Sequence, residues 1–136
     1  MKSLLCFLPV FAIGCAAHWV AIPYTPQKLA VGDPRAEIES IIMSKPGCVS
    51  KVAWAESELR VQAICSNAYA EQYVAHFDRV RDISVKQLSS NHDWYLVTLT
   101  HTDGAADFFW QPRTLEEAKK LADALNSLAT PASTGT

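Results

Sequence analysis

Hydrophobic and polar positions along the chain fall into segments with distinct periods. The first is an uncharged apolar run over 3–14 (SLLCFLPVFAIG) that follows Lys2. About a dozen apolar residues after a basic start have the length of a signal-peptide core. The run falls short of the roughly 20 residues a transmembrane helix needs, and Pro9 interrupts it. Residues 18–32 (HWVAIPYTPQKLAVG) are proline-rich and aperiodic, which predicts an extended tether. Trp19 and Tyr24 within it fit either a membrane headgroup layer or the surface of the folded domain. Helical spacing then begins. Asp33 suits an N-cap and Pro34 the first helical position. Ile38, Ile41 and Ile42 form one apolar stripe, and Lys45-Pro46-Gly47 ends the helix.

A period of two takes over from here. Residues 49–55 (VSKVAWA) and 58–64 (ELRVQAI) read as strands around Glu56-Ser57, although that pair is not a favoured tight-turn dipeptide. Further strands are expected at 71–77 (EQYVAHF) and 80–87 (VRDISVKQ), followed by a polar loop at 89–93. Residues 93–102 (DWYLVTLTHT) alternate and are rich in β-formers. Asp103-Gly104 is the strongest hairpin-turn signal, and 105–111 (AADFFWQ) is the return strand. That turn sets Val97 opposite Trp110 and Leu99 opposite Phe108, an aromatic inner face. Leu96, Thr98, Asp107 and Phe109 fall on the other face, as does Trp94. Helical spacing returns at 114–128 (TLEEAKKLADALNSL). Thr114 and Glu117 form a capping box, and Leu115, Ala118, Leu121, Ala122, Leu125 and Leu128 form the stripe. The polar tail, 130–136, is expected to be disordered. The domain organisation expected is therefore a leader over 1–14, a tether over 15–32 and a single α+β domain over 33–129.

Four cysteines constrain this arrangement: Cys6, Cys15, Cys48 and Cys65. Cys6 departs with the leader, and Cys15 lies at its end. Cys48 and Cys65 remain as an even pair, and in an exported protein such a pair is expected to be oxidised. The hairpin supports the bond independently. Pairing across Glu56-Ser57 places Trp54 opposite Leu59, Val52 opposite Val61 and Cys48 opposite Cys65, all on one face. The cysteines form a non-hydrogen-bonded pair with Cα atoms about 4.5 Å apart, within reach of a disulfide.

Composition narrows the function classes. The 136 residues are 49% hydrophobic and 19% charged, with a net charge of −2. That balance carries no basic nucleic-acid footprint. The chain has no Gly-rich phosphate loop or zinc-knuckle spacing, so no cofactor is expected. Three histidines have an acid nearby: His76 with Asp78, His92 with Asp93, and His101 with Asp103. His101, Asp103 and Asp107 gather around one turn and are the candidates for a metal or an acid–base pair. Their spacing is nonspecific, and aspartate is common at turns for its local hydrogen bonds. His101, one ladder step from the turn, is expected to be a half-exposed structural residue. No serine lies in a nucleophile-elbow context, so no catalytic residue is assigned.

Ala12-Ile13-Gly14-Cys15 resembles a bacterial lipobox, with Ala12 standing where leucine is usual. The resemblance implies a diacylglycerol on the Cys15 thiol, cleavage before it and acylation of the new amine. It implies an envelope lipoprotein held by several acyl chains, which anchor stably where one does not. Ala16 follows the cysteine in place of the aspartate that retains many such proteins at the inner membrane, so the resemblance points to the outer membrane, facing the periplasm. Two alternatives stand beside it. Cleavage around Cys15-Ala16-Ala17 would release a soluble periplasmic or secreted protein, and an uncleaved apolar stretch over 4–22 would act as an anchor.

A second resemblance covers the later two-thirds of the chain. Residues 73–85 (YVAHFDRVRDISV), 94–104 (WYLVTLTHTDG) and 108–128 (FFWQPRTLEEAKKLADALNSL) resemble bacterial pleckstrin-homology-like domains. This implies an N-terminal helix, about six antiparallel strands in a bent sheet or partly open barrel, and a C-terminal amphipathic helix as plug. A plain α+β sheet with helices on one face is the alternative. Eukaryotic relatives often bind inositol phosphates through a basic first hairpin. Here that turn is Glu56-Ser57-Glu58, so phosphoinositide binding is not carried over. The expected function is a membrane-anchored, non-enzymatic interaction module whose partner is an envelope protein, with Trp94, Leu96 and Phe109 as the candidate surface. A small envelope metal-binding protein or hydrolase is the second possibility, and a structural lipoprotein without a specific ligand the third.

Overall fold

The computed structural model describes residues 18–65 and 70–129. The lipobox-like segment, Cys15 and the tail over 130–136 lie outside them. The elements in chain order are β1 (Trp19–Ala21), α1 (Pro34–Met43), β2 (Cys48–Ala55), β3 (Glu58–Cys65), β4 (Ala70–His76), β5 (Val80–Leu88), β6 (Asn91–His101), β7 (Phe108–Trp110) and α2 (Leu115–Leu128). Seven antiparallel strands make two sheets, ordered β1-β5-β6-β7 and β2-β3-β4.

This corrects the expected fold, an N-terminal helix followed by about six strands in a PH-like bent sheet or partly open barrel. The first described element is a strand, and α1 follows it. The two sheets part between β4 and β5, which follow each other in the chain without pairing, and β7, at the edge of the four-stranded sheet, is shorter than expected. The return strand after Asp103-Gly104 was expected to pair from 105 onward, but only Phe108–Trp110 join the ladder. Gly104 takes φ +90°, a region suited to glycine, and Asp103 Oδ1 accepts from the Ala105 N–H at 2.9 Å. These local bonds hold the chain in a turn. The shortened β7 meets β4 through one backbone hydrogen bond, from the Val74 N–H to the Asp107 carbonyl at 3.1 Å.

The disulfide hairpin has the register expected. Trp54 pairs with Leu59, Val52 with Val61 and Cys48 with Cys65. Cys48 and Cys65 form a disulfide, with Cα atoms 3.9 Å apart, closer than the sequence estimate. The disfavoured Glu56-Ser57 turn is braced from outside. The Arg35 guanidinium donates to the Glu56 carbonyl, and the Phe77 N–H donates to the Ser57 carbonyl at 2.8 Å. Arg35 also lies 4.8 Å over the Trp54 ring, whose indole N–H donates to Glu39. Helix α1 is thereby pinned to β2.

Both helices form where capping predicts. Asp33 accepts from the Arg35 N–H, and Thr114 Oγ1 accepts from the Glu117 N–H at 3.0 Å. The Glu117 carboxylate reaches back to the Arg113 N–H and guanidinium, both at 2.9 Å. Burial pushes the Glu117 pKa up, but bonding and charge from Arg113 and Lys120 outweigh it and hold the carboxyl below its ordinary value. Ile38, Ile41 and Ile42 of α1 meet Ala118, Leu121, Ala122 and Leu125 of α2, over Leu59, Val61, Val85, Val97, Leu99 and Phe108 of the sheets. These residues make one core, filled from both helices and both sheets.

The expected tether over 15–32 is corrected as far as its described part goes. From His18 it is bound to the domain. Trp19, Val20 and Ala21 pair with Leu88, Gln87 and Lys86, and the Ile22 N–H donates to the Val85 carbonyl. Asp123 of α2 accepts from the Tyr24 hydroxyl at 2.7 Å and from the Gln27 N–H at 2.9 Å. The Leu29 N–H donates to Ser127 Oγ at 2.7 Å. The physical reason is that α2 presents an acceptor-rich polar edge to a segment with few backbone partners of its own.

Burial, the hydrogen bond to Asp123 and that residue's negative charge push the Tyr24 pKa up to about 12. A tyrosine that ionises near 10 when unfolded stays neutral to a higher pH when folded. Its stabilising contribution is therefore whole below pH 10 and is lost as the pH rises from 10 through 12. Denaturant titrations across that window should show a steeper loss of stability for the native sequence than for Tyr24→Phe. Equal slopes would show that the hydroxyl is not held as described.

Candidate binding cleft

The seam between β4 and β7 is open on both sides of its single hydrogen bond. One side is a cleft of about 590 Å³, with Tyr73 and Glu71 from β4, Phe109 and Trp110 from β7, Leu96 from β6 and Trp19 from β1 on its walls. The Cys48–Cys65 disulfide and Ala63 close it toward the three-stranded sheet. An adjoining hollow of about 300 Å³ is lined by Trp94, Tyr95, Pro112 and Arg113, and the two share Lys45 and Gln111. The other side of the seam is a shallower hollow beside Gln72, Val74, His76 and Asp107.

The walls are aromatic and held by one another. Tyr73 packs edge-on against Phe109 at 4.8 Å and Trp110 at 6.1 Å. Such contacts are worth roughly 0.5–1.5 kcal/mol beyond simple burial. The sequence-predicted surface residues come to this place. Leu96 and Phe109 line the main cleft and Trp94 the adjoining hollow. Helix α2 does not cover them, because it packs on the face of β5 and β6 that carries Val97 and Leu99. Trp94 is 52% exposed and Phe109 39%.

Lys45 stands at the junction of the two hollows. Its ammonium lies 4.9 Å over the Trp110 ring and has no hydrogen bond or ion pair among the described residues. Partial burial pushes its pKa down, an effect that the negative charge of Glu71 opposes only in part. Trp110 is 3% exposed, and its indole N–H finds no acceptor among the described residues. The cleft thus combines apolar aromatic walls with a cation that no described carboxylate pairs. Its volume falls in the range of roughly 300–1,000 Å³ usual for ligand sites.

The His–Asp cluster is not assembled. His101 is 1% exposed, which corrects the half-exposed expectation. Its Nε2 accepts from the His76 N–H at 3.0 Å, so Nδ1 carries the proton and donates to the Ala105 carbonyl at 3.1 Å. Both ring nitrogens are occupied in joining β4 to the turn after β6. Asp103 is committed to the Ala105 N–H, the main cause of its lowered pKa. Among the described residues no group of three or more metal-ligating side chains is close enough to hold an ion. No helix among them is long and apolar enough to cross a membrane. Sequence reasoning missed Lys45, Glu71, Tyr73, Trp19 and Gln111 as neighbours of the predicted surface. The only available signal was the outward alternation of Trp94, Leu96 and Phe109. Searches against protein-family models, curated proteins and solved structures return no match to this chain.

Proposed function

We propose that this chain is a membrane-anchored lipoprotein of the bacterial envelope, held by acyl chains on Cys15, and that it acts as a non-enzymatic module capturing another envelope protein in the aromatic cleft. The observation that carries the binding role is the cleft itself. Trp94 and Phe109 remain exposed beside Leu96, Tyr73 and a half-buried Lys45. Exposed aromatic patches of this kind mark interaction sites, and tryptophan and tyrosine are typical interface anchors. The lipobox-like end supports the anchor. The outer membrane is the preferred location, with release into the periplasm or medium as the alternative outcome.

One in-cell experiment tests both halves. Cells carrying the native chain, Cys15→Ser, or Trp94→Ala with Phe109→Ala are crosslinked, fractionated and read by mass spectrometry. Cys15→Ser should move the chain from the membrane to the soluble fraction. The double variant should stay at the membrane, keep its thermal unfolding midpoint within a few degrees, and lose the principal crosslinked neighbour. A Cys15→Ser protein still in the membrane would sink the lipid anchor. A folded double variant with an unchanged crosslink would sink the cleft.

A further inference from the structure

We propose that the cleft takes an extended peptide segment of its partner and seats a carboxylate of that segment on Lys45, between apolar side chains packed on Phe109, Tyr73 and Trp94. The inference rests on the binding role proposed above and specifies the chemistry of the partner.

The charge argument comes first. Ammonium groups in proteins are usually solvated or paired, and long side chains keep their heads in water where they can. Lys45 does neither fully. It is half-buried over Trp110, and among the described residues no acceptor or carboxylate lies within bonding reach. Glu71 shares the main cleft and its charge is felt by the ammonium, but its carboxylate does not come within ion-pair distance. The adjoining hollow contains Asp93 and Arg113, and Arg113 is already occupied by Glu117 at 2.9 Å. Lys45 is therefore the cation open to an incoming anion at this junction. A carboxylate placed there would stand in for the water that partial burial removes, in apolar surroundings where charge-assisted bonds are strong.

The shape argument selects a peptide. The cleft lies beside the seam of two strand edges, β4 and β7, which share the Val74–Asp107 backbone hydrogen bond; the His76 N–H of β4 is taken by His101, at the far end of the seam from the cleft. Edge strands offer main-chain donors and acceptors that an added peptide strand can use, while pockets beside them read alternate side chains. The two joined hollows give such pockets on either side of Lys45. An acyl chain or a small organic acid would fill the apolar space but leave the strand edges unused.

The test uses the full-length chain in nanodiscs. A displayed library of random linear peptides is selected against it, and the same preparation is titrated with sodium laurate. Selected peptides should carry Asp, Glu or a free C-terminus flanked by aromatic or aliphatic residues. Lys45→Met should weaken them about 10- to 100-fold, the range of one charge-assisted hydrogen bond. Replacing the peptide's carboxylate by its amide should cost the native chain the same factor and cost Lys45→Met little. Acid-free peptides, equal binding by a folded Lys45→Met, or saturable binding of laurate without any selected peptide would each overturn the proposal. The in-cell crosslink separates the two levels. If it is lost in the Trp94/Phe109 variant but kept in Lys45→Met, the cleft stands and the carboxylate anchor falls. If it survives in both, the binding role falls as well.

Discussion

Replacing Phe108 by alanine should lower the unfolding free energy by about 3–5 kcal/mol, whereas the same change at its neighbour Phe109 should cost only about 1 kcal/mol. The contrast follows from alternation on a three-residue strand. Phe108 is fully buried opposite Leu99 and points into the core shared by both helices. Its removal leaves a cavity that rigid strands on either side cannot close. Phe109 points the other way, 39% exposed, and loses mainly its edge contact with Tyr73. Urea unfolding of the two variants measures both numbers. Similar losses would mean that Phe109 belongs to the core and that the cleft is not a free surface. A small loss at Phe108 would undermine the packing of the two helices against this hairpin.

Removing the disulfide is expected to have the second-largest effect. Cys48 and Cys65 are separated by 17 positions and close the open end of the β2–β3 hairpin. A cross-link around a loop of that size contributes about 3 kcal/mol by restricting the unfolded chain. For a domain of this size that corresponds to a fall in Tm of roughly 10–20 °C. Thermal unfolding of the native chain with and without reductant, alongside a Cys48→Ser, Cys65→Ser variant, gives the value. The disulfide also borders the cleft beside Ala63, so its loss should loosen the wall that faces Trp19. A change below about 1 kcal/mol would show that the β2–β3 ladder holds its register without the cross-link.

Local features were readable in the sequence, and long-range ones were not. A two-residue turn at Glu56-Ser57 fixes every later pair of its hairpin, so the Cys48–Cys65 pairing followed from counting. Asp103-Gly104 likewise fixed Val97 opposite Trp110. Asp33, Thr114 and Glu117 cap helices through bonds to residues two to four positions away. The proline-rich stretch after His18 has no period, and what holds it is Asp123 and Ser127, 96 to 99 residues away on the polar edge of α2. That edge reads in sequence as a solvated face. His101 was misjudged for a related reason, since its ring is buried by an acceptor role toward His76 of another sheet. The outward alternation of Trp94, Leu96 and Phe109 was visible, but their cleft is completed by residues from separate elements, and nothing local marks Lys45 as its cation.

The clamped segment from His18 to Leu29 also has a mechanical consequence. A loose spacer would let the domain drift and would absorb tension as slack. Here His18 exchanges hydrogen bonds with Ser89 at the β5–β6 turn, the next three residues are laced to β5, and Tyr24, Gln27 and Leu29 are fastened to α2. A pull on the amino-terminal side is delivered at once to the edge of the four-stranded sheet. Only Ala16 and Ala17 stand between Cys15 and His18, and the three steps from one to the other cover at most about 11 Å of extended chain. On the anchor proposed at Cys15, the β5–β6 turn and the Trp19 side of the cleft would be held on a short leash, and the domain would meet its surroundings in a restricted set of orientations.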